Sequence, residues 1–473
     1  DTEENAILGN LIGTDPTGTA AIGNGDAGVA VHTATNNTIG GTAPGSRNVI
    51  SGNHNGVMFG NLETADNRVQ GNYIGTNAAG TAALPNADMG LLIWGVGNTI
   101  GGSESGAGNV ISGNTTNGIS LAQGSSGTVM QGNLIGLDAS GTAAIANNVG
   151  IFVNSSSDNV IGGSSAGAGN VISGNTDTNV YVVAAEASGN VIKGNYIGTD
   201  LIGTVSLEGG RGIQLIDAPD NTVGGTESGA GNLISGNANG IRIEGPTASG
   251  NVVQGNRLGT DATGTLPLGN SGATIRLTNG ASNNTIGGTG SGEGNVIANS
   301  GWMGVVLFAD AGTGNRIQSN SIYDNGALGI ELGRNSVTPN DAGDADTGPN
   351  NYQNFPILTP VASNGGTVVE ATLNSTPSSS FTLDFFSNTD CDPTGYGEGK
   401  TPLGMGTLTT DASGDGSVTA SFSAVTGTIL TATATDAEGN TSEHSQCAEL
   451  TTLEVSPSPT TRTVTQGQSA TYT

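Results

Sequence analysis

One phrase dominates this sequence and returns at a nearly constant interval. It reads GNTIGGSESGAGNVISGN at 97–114, and related copies begin at 36, 158, 220 and 283, so successive copies start 61 to 63 residues apart. A second phrase, VIKGNYIGTDLIGTV at 191–205 and its relatives, alternates with the first. Each copy holds only a few large apolar residues and cannot bury a core alone. Such units must stack on their neighbours to fold.

Each long unit contains two sub-units of about 30 residues, and each sub-unit contains three short runs with strand-like alternation. The third run has the form Gly-apolar-x-apolar, as in NGISL at 117–121. Eleven such runs begin near 28, 56, 90, 118, 150, 179, 212, 240, 273, 304 and 329. The pattern predicts an all-β parallel β-helix of about eleven coils, with three strands per coil and a length of roughly 50 Å.

The unusual composition follows from this architecture. Glycine accounts for 82 of the 473 residues, and each corner of a coil needs residues that accept positive φ. Asparagines at equivalent positions are predicted to stack into a ladder of amides; they are Asn53, Asn114, Asn175 and Asn237. Aspartates that recur in the GTD-type turns are interpreted as turn formers; they are Asp15, Asp138, Asp200 and Asp261, with Asn77 in place of one.

The pattern changes after the repeat. Longer alternating runs such as FTLDFF at 381–386 predict an antiparallel immunoglobulin-like β-sandwich. We therefore divide the chain into a β-helix at 1–354, a sandwich at 355–450, and a linker with the first strand of an incomplete further domain at 451–473.

Two features of the sequence bear on the cellular location of the protein and on its precursor. Cys391 and Cys447 are the only two cysteines, and in an extracellular setting they would form one disulfide. The chain begins within the repeat pattern, so we expect it to be a piece of a longer precursor.

The phrases GNxIGTDxxGTA and NTIGGxxxGxxNxISGN carry a family resemblance. They resemble the repeats of bacterial secreted right-handed parallel β-helix proteins, which are large and mostly uncharacterised surface proteins. The resemblance covers about residues 5–355, and in such proteins the segment 338–356 closes the helix. It implies a right-handed helix and an extracellular or cell-surface location, whereas the fold alone does not define a function.

Charge limits the choice of partners. Lys and Arg number 11 against 39 Asp and Glu, a formal net charge of −28, which argues against nucleic acid and anionic membranes. No apolar run is long enough for membrane insertion. Asp341, Asp344 and Asp346 lie close together in a glycine-containing loop. They either bind Ca²⁺ as a candidate cofactor, since hard cations prefer several oxygen ligands, or cap turns at the helix end.

Two clusters emerge when the outward positions of the Gly-apolar-x-apolar strands are placed in coil order. The first is an apolar stripe: Met58, Leu92, Trp94, Phe152 and Tyr181. It is a protein interface, a surface covered by a loop, or a sugar-stacking platform. The second is a charged cluster of Arg242, Arg276, Glu244 and Glu331, with Arg211 at its margin. It is either a cross-coil salt-bridge ladder on a solvated face or a catalytic group of arginine and carboxylate.

The sequence favours a structural protein over an enzyme. The three histidines are scattered, and we find no concentration of acid, base and aromatic residues in adjacent coils. Our interpretation is an extracellular structural or adhesive protein, the stiff rod of a larger cell-surface or filament-forming chain. Its expected partners are other copies of itself or neighbouring surface proteins. The alternative is a polysaccharide lyase, a glycoside hydrolase or a carbohydrate-binding module that uses the outer face of the helix.

Overall fold

The computed structural model describes residues 3–333, 336–363, 366–423 and 425–450. The predicted linker and extra strand at 451–473 lie outside the described residues. In the part of the chain that is described, no helix is long and apolar enough to cross a membrane.

Most of the chain forms three parallel sheets of 11 strands each. The strands of the first sheet are Ala6–Ile7, Thr38–Gly40, Arg68–Gln70, Thr99–Gly101, Val129–Gln131, Val160–Gly162, Val191–Lys193, Thr222–Gly224, Val252–Gln254, Thr285–Gly287 and Arg316–Gln318. Those of the second sheet are Leu11–Ile12, Val49–Ile50, Tyr73–Ile74, Val110–Ile111, Leu134–Ile135, Val171–Ile172, Tyr196–Ile197, Leu233–Ile234, Arg257–Leu258, Val296–Ala298 and Ser321–Tyr323. Those of the third sheet are Ala27–Val31, Asn55–Phe59, Leu91–Ile93, Asn117–Leu121, Val149–Asn154, Thr178–Val183, Arg211–Ile216, Ile241–Glu244, Ile275–Thr278, Val305–Phe308 and Ile330–Gly333.

One strand from each sheet makes up a coil, and each strand pairs with the equivalent strands of the coils before and after it. Ile197, for example, is in register with Ile172 of the preceding coil and Ile234 of the following one. All three side chains point inward and have no exposed surface. One continuous apolar core runs through the stack in this way. The predicted all-β fold with a three-sheet parallel β-helix is confirmed.

Asparagine amides form ladders at all three corners of the coil. Asn175 belongs to the predicted ladder, and its Nδ2 lies 2.9 Å from Oδ1 of Asn179, whose own Nδ2 donates to Asn237. Two further ladders precede the strands of the first and second sheets. In the second of these, Asn195 receives a bond from Asn170 and donates to Asn232, with lengths of 2.9 and 3.0 Å. The amides satisfy buried backbone and side-chain groups that no solvent reaches.

The aspartates of the GTD-type turns have the predicted role. Oδ1 of Asp138 accepts hydrogen bonds from the backbone N–H groups of Thr142 and Ala143 at 2.9 and 3.0 Å. The same bonds recur at Asp15, Asp200, Asp261 and Asn77. A side-chain oxygen that replaces a backbone acceptor closes the turn locally.

The C-terminal part contains two antiparallel sheets. One holds the strands Ile357–Ser363, Gly366–Asn374 and Asp415–Phe422, and the other holds Thr401–Thr409, Ser380–Asn388, Ile429–Thr435 and Ala448–Glu449. They share one apolar core, an arrangement consistent with a small sandwich. A disulfide joins Cys391 to Cys447 as predicted. The immunoglobulin-like class and the exact domain limits stay predictions.

The sandwich covers the last coil of the helix. Each strand of that coil donates a backbone hydrogen bond to it: Ile317 to Thr441 Oγ1, Ile322 to the carbonyl of Gly399, and Leu332 to Glu443 Oε1, each at 2.9 Å. A short 3₁₀ helix, Pro349–Tyr352, adds Asn350 to the end of the first asparagine ladder. Backbone groups that a terminal strand would leave unpaired are therefore satisfied by the sandwich.

Candidate functional site

The outward positions of the third sheet form one column along the rod, but their exposure varies. Met58, Leu92, Phe152 and Tyr181 are half-buried, and Trp94 is 40% exposed. Other members of the same column are almost completely buried; they are Ser120, Gln214, Val306 and Glu331. The face is therefore less solvated than its sequence pattern suggests.

The apolar stripe is divided into two parts. Met58 pairs with Leu92, and Phe152 pairs with Tyr181, whose ring lies edge-on at a centroid distance of 5.3 Å. Ser120 stands between Leu92 and Phe152 in the column. Burial raises the pKa of Tyr181 above its usual value. The two halves offer apolar surface of the kind used in protein contacts.

The charged cluster is built around a single strand, Ile241–Glu244. Arg242 and Glu244 are two residues apart, project from the same side of the sheet and form an ion pair. Nη1 of Arg242 also donates to Oε1 of Gln214 at 3.3 Å, and Nε2 of Gln214 donates to Thr178 Oγ1 at 2.6 Å. Polar groups of three successive coils are thus engaged with one another.

Arg276 lies directly after Arg242 in the column. Its guanidinium lies over the ring of Phe308, 4.1 Å from the centroid, where a cation is attracted to the ring face. Asp310 is nearby: the backbone N–H of Asn279, then the hydroxyl of Thr278 and the charge of Arg276, lower its pKa. Asp310 was not among the predicted site residues, because it follows the strand and does not lie on it.

Glu331 and Arg211 lie at the edges of this cluster. Val306 separates Glu331 from Arg276, and Glu331 has no exposed surface. Its expected place on a solvated face is wrong, because it belongs to the last coil, where the sandwich brings Glu443 close enough to interact with it electrostatically. Arg211 is 2.6 Å from Asp177 in a separate ion pair.

This geometry limits the chemistry of the cluster. A glycosidase needs two carboxyl groups that reach the same bond, but Glu331 is buried and Glu244 is paired with Arg242. The cluster presents hydrogen-bond donors and acceptors that suit sugar hydroxyls or a polar protein surface.

The three predicted metal-ligating aspartates do come together. One carboxylate oxygen from each of Asp341, Asp344 and Asp346 lies within 4.8 Å of the others. Nε2 of Gln353 donates to Asp344 Oδ2 at 2.7 Å, and the hydroxyl of Ser375 bonds to the same oxygen. Burial, together with the charges of the other two aspartates, raises the pKa of Asp344 to about 6. Burial and Asp341 also raise the pKa of Asp346. A group of this kind could hold a metal ion.

Four buried titratable residues at the junction of helix and sandwich were not predicted. Burial raises the pKa of Asp384 to about 6, of Glu398 to about 7 and of Glu443 to about 8. Burial lowers the pKa of His444 to about 3. No sequence signal identifies them, because their burial depends on contact between parts of the chain that are far apart in sequence.

Comparison with known proteins gives a weak structural likeness. No protein-family model matches it, and no curated protein matches it. Among solved structures, it is similar to the A-module of mannuronan C-5 epimerase AlgE6 from Azotobacter vinelandii. The two are 15% identical over 71% of this chain and 78% of that chain, with a TM-score of 0.26. So weak a likeness adds nothing to the strand pairing that defines the fold, and the chain is assigned to no family.

Proposed function

We propose that this protein is an extracellular structural and adhesive rod, part of a larger cell-surface or filament-forming chain. The observation that carries the proposal is the stack of three 11-stranded parallel sheets, whose last coil is bonded to the sandwich at all three strands. A stack in which every coil is held by backbone bonds and amide ladders supplies length and stiffness. The disulfide fits an oxidising environment.

The apolar stripe supplies the proposed contact with a second copy or a neighbouring surface protein. Trp94→Ser should weaken concentration-dependent association in sedimentation experiments, because it removes the most exposed ring of the stripe. Leu266→Ser is the control, since Leu266 is 61% exposed in a turn away from the stripe. Electron microscopy of the wild type should show elongated particles. If Trp94→Ser and Leu266→Ser associate equally, the apolar stripe is not the contact surface.

The charged cluster provides the test against an enzyme. We expect no release of reducing or unsaturated sugars from a panel of acidic and neutral polysaccharides. Turnover by the wild type that disappears in Arg242→Ala and Arg276→Ala, with an unchanged melting curve, would replace the structural function by the polysaccharide-active alternative. The same variants should leave the length of the particles unchanged.

We further propose that Asp341, Asp344 and Asp346 bind Ca²⁺. The observation that favours it is the approach of the three carboxylates, whose mutual repulsion a divalent cation would relieve. Calcium at 100 times its Kd should raise the free energy of unfolding by about 2.7 kcal/mol. Because the pKa of Asp344 is about 6, binding should weaken below that pH.

The calcium proposal is tested by calorimetric titration of the metal at pH 7.5 and pH 5. Asp344→Asn should abolish the heat of binding, whereas Asp26→Asn, at an exposed aspartate in the first coil, should leave it unchanged. Equal titration curves for wild type and Asp344→Asn would contradict the site.

A further inference from the structure

A long groove runs over the outer face of the second sheet. Its floor is the column of outward side chains Leu11, Val49, Tyr73, Val110, Leu134, Val171, Tyr196, Leu233, Arg257 and Val296, in register from coil to coil. All but Arg257 are apolar or aromatic. Two cavities of about 620 and 330 Å³ lie on this floor. Both are lined by Gly167 and Leu201, so they are neighbours along the groove.

One wall consists of the turns built on the recurring aspartates, at 14–21, 76–83, 137–144, 199–206 and 260–267. These turns occur on every second coil, yet successive ones are bonded to each other. Ala139 donates to the carbonyl of Gly80 at 2.8 Å, and Leu201 donates to that of Gly141 at 2.9 Å. The wall is therefore unbroken although only alternate coils contribute to it.

The opposite wall consists of the glycine-rich loops at 41–47, 102–108, 163–169, 225–231 and 288–294. They come from the other set of alternate coils. Backbone N–H groups of the intervening coils bond to them: Gly132 donates to Ala168 at 3.2 Å and Gly194 to Ala230 at 2.8 Å. This wall presents glycine and serine backbone to the groove, with donors and acceptors and few bulky side chains.

The floor repeats with a period of two coils. Tyr73, Leu134 and Tyr196 are partly accessible, whereas the residues of the alternate coils from Val49 to Leu233 are at most 6% exposed; these are Val49, Val110, Val171 and Leu233. The pattern ends at Val296, which is half-buried. The accessible positions are therefore ~9.6 Å apart along the axis, since coils stack at ~4.8 Å. A ligand that fits this groove along its length must itself repeat at a similar interval.

The net charge of the protein argues against a polyanion in the groove. Glu104 and Glu227 project from the glycine-rich loops that line it, and the whole chain carries −28. The two arginines are engaged with the protein: the Arg47 guanidinium lies 4.0 Å from the centre of the Tyr73 ring, and Nη1 of Arg257 donates to the carbonyl of Ala262 at 3.0 Å. These two arginines and two glutamates balance in number, so the repulsion of anionic polymers comes from the net charge of the whole chain.

We propose that the second-sheet groove binds one chain of a neutral, extended polysaccharide lengthwise, with one two-sugar unit for every two coils. Sugar rings have apolar faces that lie against Leu134 and Tyr196. Their equatorial hydroxyls meet the backbone donors and acceptors of the walls and the Arg47 guanidinium that covers the Tyr73 ring. The polysaccharide would be a ligand of the proposed adhesive rod. This step rests on the proposed function, because the rod must lie outside the cell to meet such a polymer. It uses a different face from the charged cluster of the third sheet.

Calorimetric titration with cellohexaose, mannohexaose and xylohexaose tests the groove, with hexagalacturonate as the anionic counterpart. We expect at least one neutral hexamer to bind and hexagalacturonate to bind at least about tenfold more weakly. Affinity should rise from dimer to hexamer as the ligand comes to span the ~19 Å, four coils, between Tyr73 and Tyr196. Absence of binding by all three neutral hexamers, or an affinity that does not change with chain length, would overturn the proposal.

Variants locate the site. Tyr196→Ala should weaken binding about fivefold or more, and Leu134→Tyr, which adds a ring between the two tyrosines, should strengthen it. Tyr181→Ala on the third sheet is the matched control and should have no effect. If Tyr181→Ala weakens binding and Tyr196→Ala does not, the ligand lies on the third sheet and the inference fails. If no hexamer binds but electron microscopy still shows elongated particles, the groove proposal fails and the structural proposal is unaffected.

Discussion

At the scale of single residues, the amide of asparagine is the group that joins one coil to the next. Its oxygen accepts from the backbone and side chain of the preceding coil, and its nitrogen donates to the following one, as at Asn170 and Asn195. Such a residue satisfies buried groups on both sides, which a purely apolar side chain cannot do. At some ladder positions asparagine is replaced by another residue. There, either a nearby asparagine supplies the missing hydrogen bonds or a buried polar group stays without a partner.

Asn179 is a compensation. In the coil that contains the strand Arg211–Ile216, no asparagine occupies the third-corner ladder position, and Asn179 of the preceding coil joins Asn175 to Asn237 across it. Thr128 is a defect: it occupies an asparagine position in the first ladder, and its hydroxyl oxygen is buried without a hydrogen-bond partner.

Thr128→Asn should therefore stabilise the protein. The two side chains have similar volumes, and an amide at this position would accept from Asn98 and donate to Asn159, which already accepts from the backbone of Thr128. We expect a gain of about 1 kcal/mol in the free energy of unfolding, measured by urea denaturation. The opposite type of change at the next ladder position, Asn159→Thr, should cost a similar amount or more, because Asn159 bonds to Thr128 and Asn190. A loss of stability in Thr128→Asn would contradict the ladder argument.

At the scale of elements, glycine conformation fixes the corner between the second strand and the aspartate turn. Gly198 has φ of 93°, and a Cβ placed there would lie 2.3 Å from the carbonyl oxygen of Ser235 in the next coil. Both the conformation and the close approach require glycine.

Gly198→Ala should lower the free energy of unfolding by more than about 2 kcal/mol, because a side chain must displace backbone of the adjacent coil. Gly25→Ala is the matched control: a Cβ at Gly25 meets no atom within 4 Å, so its effect should stay within about 1 kcal/mol. Thermal and urea denaturation of both variants measure the difference. Equal destabilisation would show that corner geometry is not the cause.

The strands of the helix were predictable because the same phrase specifies each of them many times. In the sandwich each strand occurs once, so its pattern is not reinforced by repetition. Ile357–Ser363 contains Pro360, and Thr401–Thr409 contains Gly404 and Gly406, residues that weaken a strand pattern. The approach of the three aspartates followed from their spacing, whereas their contacts with Gln353 and Ser375 depend on other elements and could not be derived.

At the scale of the whole molecule, the junction of helix and sandwich makes stability depend on pH. Glu398 is 8% exposed and accepts a hydrogen bond from Nδ2 of Asn325 at 2.7 Å. Burial raises its pKa to about 7, whereas a glutamate in an unfolded chain titrates near ~4.3. The folded protein therefore retains a proton that the unfolded chain releases. The contribution of Glu398 to stability is full below pH ~4.3 and is lost as pH rises through about 7.

Glu398→Gln removes this titration. Relative to the wild type, the variant should become more stable by about 3 kcal/mol as pH rises from 4.5 to 7.5. His444 has the opposite pH dependence, since its pKa is lowered to about 3, but it is present in both proteins and cancels in the difference. Urea denaturation at several pH values measures the trend. Glu63→Gln, at an exposed loop residue, should show no trend; a flat difference for Glu398→Gln would contradict the burial argument.

The buried glutamate at 331 shows why the surface was harder to predict than the fold. Its position in the strand is the one expected, facing outward in register with Val306. Its burial arises at the end of the stack, where repetition stops and the sandwich begins. A repeating pattern specifies the interior of a stack well, but it contains no information on what covers the last unit.

The bonds between aspartate turns also govern how such a chain can change its size during evolution. Because Leu201 bonds to Gly141 across an intervening coil, excision of one complete unit of 61 to 63 residues joins equivalent turns and leaves both walls intact. Excision of half a unit would stack corners of different types on each other. One aspartate turn would then lose the neighbouring turn to which its backbone bonds. We therefore expect natural size variants of this protein to differ by even numbers of coils.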